Sequence, residues 1–348
     1  MSDEIKEFRI SNEAIDDPAE LSQRIADEGY LFFKRLQNPD KLIGLRREMM
    51  TAIQRSGWLI AGTDPMDGIA DISAQCTEGD NEYSLGYAEV YKLEAFHRSG
   101  HWPDVTDMAE KIMGRPVMPF PQKIARIWFP QYTEHTTPTH QDFVHFQGNF
   151  DTLTCWTPVG DCPLELGGLA VIPGSHKVNR VLEHHFSLGA GQLVVDPKEH
   201  ADELEPVWYS TDYEIGDTLL FPALTIHRAL PNTTEDKLRL SLDNRYHPVG
   251  NPISERMLEP HGPSQLHWDE IYRSWTSDDF TYYWQRVDNP IVPFDTSYAD
   301  KGFAEALELA HSGNEDALYR LRRTAKNDPN SEYGRTARAV LDERSAVG

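Results

Sequence analysis

Between Lys123 and Tyr246 the chain breaks into short apolar or alternating runs separated by turns, and this spacing limits its fold more than any other feature. Eight candidate strands lie at residues 124–129, 139–146, 152–157, 169–172, 206–209, 218–221, 226–230 and 238–246. Eight strands of this length suit a jelly roll, a mainly β fold. The stretch 173–205, with Gly189-Ala190-Gly191 and several charges, is too long for a tight connection and reads as an insertion at the mouth of the barrel.

Helices flank this core. Leu21, Ile25 and Ala26 share one helical face, and Leu42, Leu45, Met49 and Ile53 share another, with a short strand at 29–34 between them. Residues 63–82, rich in Asp and Gly, read as a loop or cover segment. After about Pro260, Trp268, Ile271, Tyr272 and Trp275 recur at amphipathic spacing. Residues 303–341 read as Ala/Leu-rich helices with polar breaks at 311–314 and 327–330, faintly similar to a HEAT-like helical hairpin. One such unit cannot bury its own apolar face, so it packs on the barrel or forms a homo-oligomer through these C-terminal helices. The expected organisation is one domain over 1–255, with a jelly-roll core at about 123–247, and a helical C-terminal extension over 256–348.

Charge narrows the partners. Thirty-three Lys and Arg stand against 56 Asp and Glu, a formal net charge of -23, which argues against nucleic acid and anionic membrane surfaces. No apolar run approaches the ~18 residues of a membrane span, and the first ten residues are charged, so a cytoplasmic protein is expected. Cys76, Cys155 and Cys162 form no CxxC pair and are odd in number, which fits reduced packing residues.

The chemistry concentrates at Pro138-Thr-His-Gln-Asp-Phe143. On an extended strand, His140 and Asp142 point to one face, so an imidazole and a carboxylate converge. Alone the pair is common, but His227 opens the seventh candidate strand, and two imidazoles with one carboxylate leave three positions of an octahedral ion open. This is the arrangement of non-haem iron(II) oxygenases, with room for the two chelating oxygens of 2-oxoglutarate and for O2. In Leu238-Arg-Leu-Ser-Leu-Asp243 the alternation places Arg239, Ser241 and Asp243 on one face. If that face lines the interior, Arg239 needs an anion, and the far carboxylate of a dicarboxylate held near His227 supplies it, with Ser241 as a second donor. The plain alternative is an edge strand whose charges face water.

These residues resemble the phytanoyl-CoA dioxygenase family of iron(II)/2-oxoglutarate oxygenases, which includes ectoine hydroxylase. His140-Gln-Asp-Phe143, Gly167-Gly-Leu-Ala-Val-Ile-Pro-Gly-Ser-His176, Gly216-Asp-Thr-Leu-Leu-Phe221 and the span from His227 to Arg239-Leu-Ser241 carry the likeness, which covers roughly residues 15–250. The resemblance implies a double-stranded β-helix, Fe(II) held by His140, Asp142 and His227, and 2-oxoglutarate anchored by Arg239. It also implies Thr154 near the cosubstrate's far carboxylate, Arg126 near cosubstrate or substrate, and Gln141 close to the site. Thr154 reads equally as a β-branched strand residue. Halogenating relatives replace the ligand carboxylate with a small residue; Asp142 here favours hydroxylation or another oxidation.

Of the remaining histidines, His135 and His145 flank the motif, and a strand would turn His145 away from the metal, while His184-His185 reads as part of a polar loop. The expected substrate is a small molecule, with Phe143, Phe146, Phe150 and Trp128 as aromatic lining residues or core. Two rivals stay open at this point. A cupin-like metal enzyme without 2-oxoglutarate gives Arg239 no role, and a non-catalytic scaffold would bind partners through its acidic surface and helical tail.

Overall fold

The computed structural model describes residues 5–131, 136–187, 190–194 and 196–347. Its strands are β1 (Ile5–Lys6), β2 (Leu31–Phe33), β3 (Val117–Pro119), β4 (Ile124–Trp128), β5 (Leu153–Pro158), β6 (Leu169–Val171), β7 (His184–Ser187), β8 (Ala190–Leu193), β9 (Trp208–Tyr209), β10 (Thr218–Pro222), β11 (His227–Ala229) and β12 (Arg239–Pro248). The helices are α1 (Pro18–Glu28), α2 (Pro39–Arg55), α3 (Asn81–Tyr91), α4 (Glu94–Ser99), α5 (Pro103–Met113), α6 (Phe143–Phe146), α7 (Trp268–Tyr272), α8 (Ser297–His311), α9 (Glu315–Asn327) and α10 (Glu332–Val347). Local chemistry sets the first boundaries. Asp17 caps α1 by accepting from the Ala19 and Glu20 amides, Pro18 fits the first turn, and Gly29 closes the helix in the left-handed region at φ 72°.

Two sheets form the centre of the molecule. One runs β2-β10-β5-β12, and β12 is long enough to pair β4 along Arg239–Asp243 and β3 along Tyr246–Pro248 on its other edge. The other runs β1-β9-β6-β11. Alternation along the strands makes the layers. Leu219 and Phe221 of β10 enter a cluster between the sheets with Phe32, Trp156, Leu169 and Val171. Leu220 points the opposite way, into a cluster with Leu21 of α1 and Val105, Met108 and Ala109 of α5. Likewise Leu240 and Leu242 of β12 pack outward against α2 and α3, in the largest cluster, which extends to Met257, Trp268, Ile271 and Trp284 beyond residue 255. The opposite face of β12 therefore turns its polar residues inward.

The strand expected at 139–146 does not form. His140 makes one isolated antiparallel bridge with His227, Asp142 is already in the right-handed helical region (φ -67°, ψ -27°), and α6 follows at once. The apolar run Phe143-Val144-His145-Phe146 suits a helical turn as well as a strand, and the contact with His227 ends the extended segment. Helices α3, α4 and α5 had no counterpart in the sequence reading, although Tyr83, Tyr87 and Tyr91 stack down one face of α3 at ring-centroid spacings of 5.6 Å.

In the insertion, β7 and β8 pair as a hairpin, and Leu182, Leu193 and Leu204 cover Ala170, Ile172 and Ile226 on the outer face of the second sheet. Helices α8, α9 and α10 share their own cluster, which includes Ala310, Leu321 and Ala337. They dock on their own chain: Arg323 donates to the Glu78 carbonyl, Lys326 pairs with Asp80 at 3.2 Å, and Arg320 donates to Gln192 at 3.2 Å. Among the described residues no helix is long and apolar enough to cross a membrane.

Lys123, just before β4, is buried at 1 % exposure, donates to the Phe120 carbonyl at 3.1 Å and to the Tyr283 hydroxyl at 3.2 Å, and has no carboxylate partner among the described residues. Burial pushes its pKa down to about 7. Between that value and the ordinary lysine range of ~10.4, the unfolded chain binds more protons than the folded one, so stability rises with pH across this window. Lys123→Met should stabilise the fold by a few kcal/mol (order of magnitude) at pH 6–7, and the gain should fade by about pH 10. Urea denaturation across this pH range checks it, and a gain independent of pH would show that the buried ammonium is not its source.

Candidate metal centre

Three side chains from separated parts of the chain meet between the sheets. His140 and His227 are brought together by their mutual bridge, His140 N to His227 O at 2.9 Å and His227 N to His140 O at 3.0 Å. Asp142, two residues on, turns back so that its Oδ1 lies 3.5 Å from His140 Nε2 and 3.8 Å from His227 Nε2. The three donor atoms all lie within 4.8 Å of one another, and all three residues are buried. Each imidazole is oriented from behind: His140 Nδ1 donates to the Pro138 carbonyl at 2.7 Å and His227 Nδ1 to that of Thr225 at 2.9 Å. That tautomer leaves each Nε2 lone pair facing the common centre, as a metal ligand requires. Burial, with His140 nearby, lowers the His227 pKa to about 3 and keeps the ring neutral.

The carboxylate is held as tightly as the rings. Thr154 Oγ1 of β5 donates to Asp142 Oδ2 at 2.5 Å, while Arg245 of β12 donates through Nη2 to Oδ1 at 2.9 Å and through Nε to Oδ2 at 3.3 Å. Burial alone would raise the Asp142 pKa, but Arg245, with His140 and His227, outweighs it and holds the carboxyl well below the usual range. Asp142 is thus an anion, with Oδ2 occupied and Oδ1 turned to the histidines. Two imidazoles and one carboxylate fit a divalent ion of the iron type, with positions left open for other ligands.

Beside this centre a small cavity is lined by Arg126, Thr154, Trp156, Asp243 and Arg239 along with the three donors. Arg239 is 1 % exposed. It donates to the Gly167 carbonyl and lies 4.3 Å from the Trp128 ring centroid, yet its Nε has no partner and no carboxylate among the described residues pairs with it. Burial lowers its pKa to about 10, which still leaves it charged at neutral pH. The neighbouring Ser241 Oγ is also buried without a partner. Gly167 has φ 86°, and a Cβ there would sit 2.4 Å from the Leu230 carbonyl, so only glycine presents this carbonyl to Arg239.

The other sequence-derived residues fall into place differently. Arg126 lines the cavity but is already engaged, with Asp243 at 3.0 Å and Glu78 at 2.9 Å. Burial opposes its charge, and those two carboxylates more than restore it. Gln141 is not among the cavity-lining residues: its amide donates to the Arg180 and Leu224 carbonyls at 3.1 and 3.0 Å and accepts from the Leu182 amide at 2.8 Å. It pins the insertion to the site from the side opposite its neighbours. His145 was expected to face away, but the turn of α6 brings its ring within 5.0 Å of the His140 ring. His184 is structural, taking the Gln141 amide at 2.9 Å, while His135 lies outside the described residues. Phe146 and Trp128 are core, whereas Phe143 is half-buried and stacks at 4.3 Å on the exposed Phe150.

The sequence reading missed Arg245. The signal was present, because continuing the alternation from Arg239 through Ser241 and Asp243 reaches Arg245 on the same inward face. The family motifs also acquire physical roles. Ser175 of Pro173-Gly-Ser-His176 accepts the Ile226 amide at 2.8 Å and so fixes the entry to His227. Asp217 of Gly216-Asp-Thr takes Lys34 at 2.8 Å and the Arg35 amide at 3.0 Å, which ties β10 to the end of β2.

Fold and donor set fit a mononuclear two-histidine, one-carboxylate metal centre. The sequence profile of the phytanoyl-CoA dioxygenase family (PhyH) matches residues 25–240, and the chain belongs to this family of iron(II)- and 2-oxoglutarate-dependent oxygenases. It is 25% identical over 270 residues to a 1-deoxypentalenic acid 11-beta-hydroxylase of Streptomyces arenae, covering 75% of this chain and 92% of the relative. The corresponding hydroxylase of Streptomyces exfoliatus is 23% identical over the same share. Similar solved structures include the alpha-ketoglutarate-dependent carbocyclase SnoK from nogalamycin biosynthesis (18% identity, 67% of this chain and 84% of that one, TM-score 0.47). Another is EctD from S. alaskensis with 2-oxoglutarate and 5-hydroxyectoine (18% identity, 68% and 79%, TM-score 0.45).

Thr154→Val keeps the shape of the side chain and removes its hydrogen bond to Asp142. Loss of such an orienting partner typically costs 10–100-fold in metal affinity, so Fe(II) or Co(II) should bind at least about tenfold more weakly in anaerobic titration. Unchanged affinity would mean that Arg245 alone sets the carboxylate.

Proposed function

We propose that this enzyme hydroxylates an unactivated C–H bond of a small-molecule metabolite, with 2-oxoglutarate and O2 converted to succinate and CO2 as one oxygen atom enters the product. The observation that carries the cosubstrate reading is Arg239: a buried guanidinium with an unpartnered Nε, lining the cavity that also holds the metal donors, two residues along β12 from Ser241, whose buried Oγ is likewise unpartnered. An anion there would relieve the desolvation of the cation and complete its hydrogen bonds. A metal enzyme without a dicarboxylate leaves Arg239 unexplained, as does a scaffold without catalysis.

In this reading His140, Asp142 and His227 would hold iron(II), which when bound would activate O2, the oxidant, for C–H cleavage. The chain's own residues do the positioning. Arg239 and Ser241 take the far carboxylate and fix the cosubstrate's reach from the floor of the cavity. Thr154 fixes the ligand carboxylate within reach of the cosubstrate, and Arg126, held by Glu78 and Asp243, forms the wall that a substrate meets. The two packed sheets correspond to the double-stranded β-helix of the family, with residues 1–255 as the oxygenase domain and 256–348 as an extension whose first part completes the main core. The relatives named as 1-deoxypentalenic acid hydroxylases, matched over nearly their whole length, support hydroxylation of a small molecule.

Anaerobic addition of iron(II) and then 2-oxoglutarate should produce a weak visible charge-transfer band, and a screen of metabolites should find one that accelerates succinate release. Arg239→Ala should raise the 2-oxoglutarate concentration needed for the band by at least about tenfold with iron binding retained, as befits loss of a charge-assisted pair. An unchanged requirement would place the anchor elsewhere.

A further inference from the structure

Arg245 stands in an unusual position relative to the metal donors. Its Nη2 lies 2.9 Å from Asp142 Oδ1, the oxygen that also faces His140 Nε2 at 3.5 Å and His227 Nε2 at 3.8 Å. A guanidinium and an incoming ion would therefore share one carboxylate oxygen, inside a cavity where Arg245 is 5 % exposed. The donor set carries one negative charge, from Asp142, and Arg245 cancels it. A divalent cation entering here meets a neutral set with a fixed positive charge a few ångströms away, and in a buried site such a charge is poorly screened.

We propose that Arg245 is an electrostatic counterweight that makes metal and dicarboxylate binding strongly cooperative, holding the metal loosely until a dianionic chelator arrives beside it. The chelating carboxylate restores at the ion the negative charge that Arg245 cancels on Asp142, while the far carboxylate answers Arg239, so each ligand strengthens the other by the same factor. Orientation of Asp142 does not depend on Arg245 alone, because Thr154 grips Oδ2 at 2.5 Å. The proposal makes an expectation opposite in sign to the ordinary one. An orienting partner of a metal ligand, when removed, weakens metal binding. Removing Arg245 instead leaves Asp142 as a buried carboxylate without its cationic partner, and a divalent ion then replaces the missing charge.

The inference rests on the 2-oxoglutarate reading, and its test separates the two. Co(II), which supports no turnover, is titrated anaerobically into the full chain with and without 2-oxoglutarate, followed by calorimetry and by the Co(II) d–d spectrum. In the wild type, 2-oxoglutarate should tighten Co(II) binding by about tenfold or more, within the usual range of coupling between sites. Arg245→Met should bind Co(II) alone about tenfold more tightly than the wild type, and the effect of 2-oxoglutarate should shrink by a similar factor. Arg245→Lys, which keeps the charge and loses the two-point grip, should retain the wild-type coupling, and it decides the matter if the methionine variant does not fold. Weaker or unchanged Co(II) binding by a folded Arg245→Met, or loss of coupling in Arg245→Lys, would overturn the counterweight while leaving the cosubstrate reading intact. If 2-oxoglutarate alters neither Co(II) affinity nor spectrum in the wild type, the cosubstrate reading itself falls.

Discussion

The carboxylate of Asp142 is the point on which the site depends. Four side chains converge on its two oxygens: Thr154 and Arg245 from one sheet, His227 from the other, and His140 from the segment that bridges them. A buried carboxylate with no such company would be protonated or would destabilise the fold. Surrounded in this way it stays anionic and fixed, with one oxygen directed at the two imidazole nitrogens. The three donor atoms, within 4.8 Å of one another, suit a divalent ion.

Strand β12 is the element that makes this arrangement possible. Its outward residues Leu240 and Leu242 anchor it in the largest apolar cluster, and that packing commits Arg239, Ser241, Asp243 and Arg245 to the interior. Each inward charge then needs an answer. Arg245 is answered by Asp142, and Asp243 by Arg126, which Glu78 also holds. Arg239 has only a carbonyl and an aromatic face. Among the inward charges of β12, Arg239 alone has no oppositely charged partner among the described residues, and this supports the proposal that it receives an anionic ligand.

Much of this could be read from residue patterns, and what could not has physical reasons. The period-two alternation of residues 238–243 is a backbone property and exposed the polar face of β12 directly. His140, Asp142 and His227 were recognisable because few other arrangements bring those side-chain types together in that order. The short helix after Asp142 was hidden because Phe143-Val144-His145-Phe146 is too brief for periodicity to separate helix from strand, and the bridge that ends the extended segment comes from a residue far away in the chain. Gln141 misled for a related reason. Its neighbours on both sides face the metal centre, so its own side chain has to leave on the other face, where it holds the insertion. The docking of α8–α10 on the Glu78–Asp80 segment depends on contacts between distant residues, which no local pattern records.

The most direct test of the central claim is anomalous scattering from a crystal soaked anaerobically in Mn(II) and 2-oxoglutarate. The account predicts a single strong peak within bonding distance of His140 Nε2, His227 Nε2 and Asp142 Oδ1, with Asp142 Oδ2 still on Thr154 and the far carboxylate of the cosubstrate on Arg239. A peak bound instead to Glu78 or Asp243, or a cosubstrate lying away from Arg239, would contradict it.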